Sequence, residues 1–370
     1  MAPPPPELVD DAAAEVLLRI PPDDPVDLVR AAAVCKPWLR ILCDPAFLRR
    51  YRDFHGDGTP LLLGFLRNPD DRSLSRFVPT SSFRPTPDGH RSCYALDCRH
   101  GRALLYDYHT VDYVVWDPIS GQERRMRDEV PDVYTRFAVL CAAAGGGCDH
   151  RGCSGGPSLL ACVGVERTDL GYQYAHACFF SFDTGERGRE TYIPLDCQIS
   201  LKDCSPALVG GALYVVGKKG ILLRYDILGD RDLSVIEPPE VKHLGSISVM
   251  TMEDGGLGLA SLYRHKLRLW SREMGPDGDA GWAKRRVIDL RTLLPLANPK
   301  CPAYLSGFAE GANVIFVSTD DDGVFSIKLE SLLTRKVCEL GKIDHLLPYV
   351  SFYIPPVCAS GTLPSRVETQ

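Results

Sequence analysis

Cys148, His150 and Cys153 fall within six residues of one another, with Cys141 just ahead of them, and all four are side chains that bind zinc. A zinc finger needs close, regular pairs of ligands. No C-x-x-C lies nearby, so the spacing points to loop and strand thiols and no metal centre is expected. Cys93, Cys98 and His100 make a second loose cluster with the same reading. Gly152-Cys153-Ser154-Gly155-Gly156 spells G-x-S-x-G, which presents a nucleophilic serine only on a strained turn between a strand and a helix. Here it lies in the glycine-rich stretch Gly145 to Gly156, with no helical pattern after it, so a loop is expected. Asp320-Asp321-Asp322-Gly323 lacks the alternating oxygen ligands and closing glutamate of a calcium loop and reads as a hairpin turn. Neither G-x-x-x-x-G-K-[ST] nor G-x-G-x-x-G occurs, so no phosphate-cradling loop and no cofactor is expected. Lys284-Arg285-Arg286 precedes a strand pattern and reads as a solvated edge.

Two kinds of element would have to position any such groups. Residues 7 to 55 carry apolar side chains at helical spacing: Leu8, Ala12, Val16 and Ile20 form a stripe at intervals of four, with Ala13 and Leu17 beside it. Pro21-Pro22 stops that helix, and Asp24-Pro25, Lys36-Pro37 and Asp44-Pro45 offer restarts, because aspartate caps and proline is tolerated in a first turn. Three or four short helices result, too few to bury much core alone. From about Leu61 the chain turns to short runs rich in Val, Leu, Tyr and Phe between Gly, Asp and Pro, roughly two dozen antiparallel strands. Examples are Ala103-Leu104-Leu105-Tyr106, Tyr113-Val114-Val115-Trp116 and Val314-Ile315-Phe316-Val317.

A weak repeat runs through these strands: an apolar run, a polar residue, then a turn. It appears at Trp116-Asp117-Pro118 with Gly121, Ser181-Phe182-Asp183-Thr184-Gly185, Tyr225-Asp226-Ile227 with Gly229, and Leu269-Trp270-Ser271-Arg272. Its period suits four-stranded propeller blades with uneven loops; a pair of β-sandwiches shares the strand pattern but not the repeat. The expected fold is α+β and multidomain: an all-α unit over residues 1–55, a large all-β domain over 56–357 built as an irregular propeller, and a disordered tail over 358–370. The Gly145 to Gly156 stretch and Pro276 to Gly281 are candidate exposed loops.

Composition narrows the partners. The 370 residues are 45% hydrophobic, ordinary for a chain with a real core, and carry a net charge of −6. With a pI near 5.9 there is no basic footprint for nucleic acid or an anionic membrane, so neither is expected as a partner. No apolar run approaches the roughly 20 residues of a membrane span, and Met1 to Asp11 has no signal-peptide pattern. Many of the 14 cysteines sit inside apolar runs, as Cys162 and Cys178 do, where free thiols behave as small hydrophobes. The expected setting is reducing, in the cytoplasm, the nucleus or both.

The first fifty residues resemble the F-box. The blocks that carry the likeness are Glu7-Leu8-Val9-Asp10-Asp11, Glu15-Val16-Leu17-Leu18-Arg19-Ile20-Pro21, Leu28-Val29-Arg30 and Val34-Cys35-Lys36-Pro37-Trp38, in order and spacing. Val115-Trp116-Asp117-Pro118 with Gly121, and Leu269-Trp270-Ser271-Arg272 with Trp282 and Ile288-Asp289-Leu290, are similar to the β-domain of plant-type F-box proteins. The resemblance implies a non-catalytic specificity subunit of a Skp–cullin–F-box ubiquitin ligase, whose helices bind a Skp-type adaptor, and through it cullin, while the β-domain binds an unidentified target protein. It assigns the adaptor contacts to Leu8, Val9, Val16, Leu17, Ile20, Pro21, Leu28, Val34, Cys35 and Trp38, with Trp38 the main anchor. One departure is that Leu8-Val9 stands where the family has Leu-Pro, which would lower adaptor affinity. Two other functions share the sequence: an F-box protein that binds without delivering a target for degradation, and an enzyme using the propeller channel, which would need convergent carboxylates, histidines or a metal in blade-start loops.

Overall fold

The computed structural model describes residues 10–20, 25–55, 61–68, 75–81, 83–85, 93–127, 134–142, 156–240, 243–275, 279–339, 343 and 345–351. Proline and aspartate open its N-terminal helices as their chemistry requires. Helix α1 (Asp10–Leu18) begins with Asp10 and Asp11, which favour the positive end of the helix dipole. Helix α2 (Pro25–Ala32) starts on a proline, and α3 (Lys36–Cys43) carries Pro37 in its first turn. Asp44 accepts the Ala46 backbone N–H at 2.8 Å and so caps α4 (Pro45–His55). The four helices close over Leu17, Leu18, Leu28, Ala31, Ala32, Leu42, Phe47 and Tyr51. The Tyr51 hydroxyl donates to the Ile20 carbonyl and His55 Nε2 bonds the Leu18 carbonyl, each at 2.6 Å, tying α4 to the end of α1.

One expectation is corrected here. The helices do enclose a core of their own, made wholly of helical residues. The stripe through Ala12 and Val16 is exposed, whereas Ala13, Leu17 and Leu18 are buried. Neighbouring stripes share the same period, and the packing of α3 and α4 against α1 selects between them.

Beyond the helices the described chain is built of antiparallel sheets, five of them four-stranded and in strict chain order and one joining strands from both ends of the domain. Strands β1 (Leu61–Arg67) and β2 (Arg76–Pro79) come first. The first complete sheet holds β3 (Cys93–Arg99), β4 (Arg102–Asp107), β5 (Asp112–Trp116) and β6 (Glu123–Arg127). The second holds β7 (Thr135–Cys141), β8 (Ser158–Arg167), β9 (Gln173–Ser181) and β10 (Thr191–Leu195). In the third are β11 (Ala207–Val209), β12 (Ala212–Val216), β13 (Leu222–Asp226) and β14 (Leu233–Ile236). The fourth comprises β15 (Ser246–Thr251), β16 (Leu257–Tyr263), β17 (Lys266–Met274) and β18 (Ala280–Asp289). The fifth has β19 (Ala303–Ala309), β20 (Val314–Thr319), β21 (Gly323–Lys328) and β22 (Thr334–Cys338). Strand β23 (Leu346–Ser351) then pairs with β1, giving a last sheet ordered β2-β1-β23.

These six sheets are the blades of a six-bladed β-propeller, and the sandwich alternative falls. The first strand of each complete blade, together with β23, lines the centre, with direct contacts between β23 and β3, β3 and β7, β11 and β15, β15 and β19, and β19 and β23. Strands from both ends of the domain, β23 and β1, pair to complete the last blade and so close the ring, and the radial arrangement leaves each blade only a short outer edge.

The sequence repeat marks the turn after the third strand of successive blades. At the end of β5 the Asp117 carboxylate accepts the backbone N–H groups of Ile119 and Ser120. After β13, Asp226 accepts that of Gly229, and after β9 the Ser181 hydroxyl accepts those of Asp183 and Thr184. These side chains satisfy turn donors that the ladder leaves open. In the fourth blade Trp270 instead lies within β17. The stretch Asp320-Asp321-Asp322-Gly323 is the expected hairpin, Thr319 pairing with Gly323, whose φ of 82° suits glycine. Ala280 and Gly281, expected in a loop, belong to β18.

The apolar surfaces meet between blades. Leu104, Tyr106 and Val115 pack on Val139, Leu160 and Cys162 between the first and second blades. Leu66 and Leu347 of the closing blade pack on Ala103, Leu105 and Trp116 of the first, while Phe65 and Leu346 pack on Phe316 and Val324 of the fifth. Because a neighbour covers each face of a blade, inner strands such as β4 and β12 are buried along their whole length. Among the described residues no helix is long and apolar enough to cross a membrane.

Candidate functional site

The inner strands run side by side around the channel, so residues at their starts gather at one mouth and residues at their ends gather at the other. At the end mouth, a bulge in β3 between Ala95 and Asp97 re-aims the strand. Asp97 and Arg99, two positions apart, share one face and are almost wholly buried, at 0% and 6% exposed. Asp97 accepts the Val139 backbone N–H at 3.0 Å and lies 3.5 Å from Arg99 Nε. Arg99 donates to the Pro206 carbonyl at 2.7 Å and pairs with Glu310, which accepts from the Thr251 hydroxyl at 2.9 Å. One guanidinium thus joins the first, third and fifth blades across the channel, and Glu310 adds the fourth. Burial pushes the Asp97 carboxyl up, opposed by the Arg99 charge.

At the start mouth the residues are Asn68, Tyr94, Arg136, Lys202, Asp203, Ser205 and His345. Arg136 donates to the Lys202 carbonyl at 2.6 Å and to the Thr135 carbonyl at 2.9 Å, with Asp203 3.9 Å away. His345 Nε2 lies 3.3 Å from the Ser205 hydroxyl, and its Nδ1 lies 3.9 Å from Asp203. The order Ser–His–Asp is that of a hydrolase triad. The acid, however, is outside hydrogen-bond range and 63% exposed, so it does not orient the imidazole. Burial raises the Tyr94 phenol, with Asp203 adding to it, and lowers the Lys202 amine. The Cys204 thiol is pushed up to about 12 by burial. The mouth is a patterned set of donors, acceptors and opposite charges, suited to recognising a polar segment.

Burial also holds His345 below its ordinary value, with Arg136 acting the same way and Asp203 opposing. Between the depressed folded pKa and the ordinary value of about 6.5, the unfolded chain binds the extra proton, so stability falls as pH falls through that window. Denaturant unfolding at stepped pH is expected to show this loss, at most about 1.4 kcal/mol per pH unit, and to show less of it in His345→Gln.

The helical unit presents the second set of candidates. Val16 on α1 and Val34 after α2 are 51% and 64% exposed, and Cys35 is exposed beside Val34. Ile20 and Trp38 are half-buried against the helical core. Leu17 and Leu28, at 0% and 3%, belong to that core and offer no surface to an adaptor, which corrects their assignment. Leu8, Val9 and Pro21 lie outside the described residues, as do Cys148, His150, Cys153 and Ser154. Cys93 and Cys98 pack among apolar residues between the closing and first blades. Among the described residues no three metal-ligating side chains gather at one point.

Neither family comparison nor comparison with curated proteins finds a match to this sequence. Among solved structures the chain is similar to a PQQ-bound aldose sugar dehydrogenase from Streptomyces coelicolor, at 11% identity over 72% of this chain and 87% of that one, with a TM-score of 0.40. It is similar to a luciferin-regenerating enzyme at 9% identity over 68% and 77%, with a TM-score of 0.39. The Cps50 (Swd1) β-propeller domain of Myceliophteria thermophila matches at 11% identity over 67% and 87%, with a TM-score of 0.36. Likeness at this level assigns no activity, substrate or partner to this chain.

The channel residues were missed in the sequence for want of an apolar or catalytic motif. Their signal is positional: Lys202-Asp203-Cys204-Ser205 just ahead of β11, Arg136 second in β7, His345 directly before β23, and the Asp97-Cys98-Arg99 step inside an apolar strand.

Proposed function

We propose that this chain is the target-recognition subunit of a Skp–cullin–F-box type ubiquitin ligase, with the helices docking on a Skp-type adaptor and the propeller holding the target. The observation that carries the reading is the exposure of Val16, Val34 and Cys35 on a bundle whose core is already closed, at positions the F-box resemblance assigns to the adaptor. Exposed aliphatic groups on so small a unit favour burial against a partner helix. The start mouth of the channel, with Arg136, Asp203 and His345, supplies the polar surface for a target segment. No chemistry is asked of the chain itself: holding a target beside the ubiquitin carrier raises the effective concentration of its lysines.

The test is co-purification of the full chain with a Skp-type adaptor. Val34→Asp places a charge in the docked surface and is expected to weaken binding at least about tenfold, while its exposure leaves thermal stability unchanged. Trp38→Ala is less diagnostic, because Trp38 also packs on the helical core. A folded wild-type chain that leaves the adaptor unbound overturns the reading. The Ser205 and His345 contact is the one observation favouring a hydrolytic alternative, and labelling of Ser205 by a fluorophosphonate would support it.

A further inference from the structure

Two buried thiols face each other across a strand pair in the second blade. Cys162 of β8 and Cys178 of β9 are direct partners in the ladder, and their sulfurs are 2.6 Å apart. Both are free and nearly inaccessible, at 4% and 2% exposed, in the core shared by the first two blades. We propose that Cys162 and Cys178 form a reversible redox site that closes to a cross-strand disulfide when the protein meets a peroxide.

The geometry allows it without moving the backbone. Directly opposed residues of an antiparallel pair have Cα atoms about 4.5–5.5 Å apart, inside the range of about 4.4–6.8 Å that a disulfide spans. The nearby Arg187 charge favours Cys178 as the attacking sulfur. Cys178 is held below its ordinary thiol value, first by its hydrogen bond with Cys162 and then by the Arg187 charge, against the opposing effect of burial. Arg187 is bridged to Phe180, two residues along β9, and its guanidinium lies 4.9 Å from the Phe180 ring centroid. Cys162 is pushed well up by the same hydrogen bond and by burial.

In the first step the Cys178 thiolate attacks one peroxide oxygen and the O–O bond breaks, leaving a sulfenic acid and hydroxide. In the second, the Cys162 sulfur attacks the Cys178 sulfur, the S–O bond breaks and the hydroxyl leaves as water with the Cys162 proton. Two thiols and hydrogen peroxide give one disulfide and two waters; the sulfurs lose two electrons and the peroxide oxygens gain them. A dithiol reductant reverses the step by exchange. Peroxide is little larger than water and reaches the pair through local opening of the blade.

Intact full-length protein is first reduced with dithiothreitol, freed of reductant and treated with hydrogen peroxide. It is then denatured in iodoacetamide and digested without further reduction. The expected result is a cross-linked peptide pair joining Cys162 to Cys178, lighter by two hydrogens than the separate thiol peptides. Neither site is alkylated in that fraction, and dithiothreitol restores both. Cys162→Ser is expected to abolish the cross-link and leave Cys178 oxidised to the sulfinic acid. The wild-type measurement stands alone if that variant misfolds. Full alkylation of both residues after peroxide, with exposed Cys35 or Cys197 oxidised instead, would overturn the proposal, as would a cross-link from either residue to another cysteine.

Discussion

Replacing Arg99 with alanine is expected to cost the protein about 3–5 kcal/mol of stability, read as a fall in the denaturation midpoint at unchanged slope. The size follows from what is left behind. Among the described residues, Asp97 is fully buried, has one oxygen without a hydrogen-bond partner and has Arg99 as its nearby cation. Without the guanidinium, Asp97 must stay charged in a dry site or take up a proton, Glu310 loses its ion-pair partner and keeps the Thr251 hydroxyl, and the Pro206 carbonyl loses a donor. The deficit also depends on pH. Asp97 already has a raised pKa, and losing Arg99 raises it further, so above ordinary carboxylate values the folded variant binds more protons than the unfolded chain. Its stability therefore falls as pH rises through that window, and the gap from wild type narrows in mild acid. Arg99→Met with Asp97→Asn, which removes both charges, is expected to recover part of the loss.

Tyr349→Ala is the second large effect, about 3–5 kcal/mol, because it empties a packed site where the ring closes. Tyr349 is 1% exposed in β23, stacked on Phe83 at 6.0 Å between centroids and edge-on to Phe77 at 6.0 Å. Its hydroxyl donates to the Gly101 carbonyl at 3.1 Å, joining the closing blade to the first. Tyr349→Phe keeps the rings and loses that bond alone, at about 1 kcal/mol. Thermal unfolding of the two variants separates packing from hydrogen bonding. If both variants unfold like the wild type, β23 is not what secures the ring.

Strand content and the propeller were legible because blades covered on both faces demand unbroken apolar runs such as Ala103-Leu104-Leu105-Tyr106, and because Asp117 and Asp226 sit where turn donors need acceptors. Closure was not legible: nothing local in Leu61–Arg67 says that its partner is Leu346–Ser351. The sequence left open which face of α1 is buried, because Ala12 and Val16 have the same period as Ala13 and Leu17, and only the docking of α3 and α4 separates them. The channel groups escaped for a related reason. Arg99, Glu310, Ser205 and His345 are far apart in sequence and meet only when six blades share an axis.

The claim that the helices are a docking unit is tested most directly by titrating the purified full-length chain with a purified Skp-type adaptor while following amide hydrogen exchange in both. Saturable one-to-one binding, with new protection confined to α1, α2 and α3 and the propeller strands unchanged, is the predicted result. A folded, monomeric chain that gains no protection there at saturating adaptor, or gains it on the propeller instead, would contradict it.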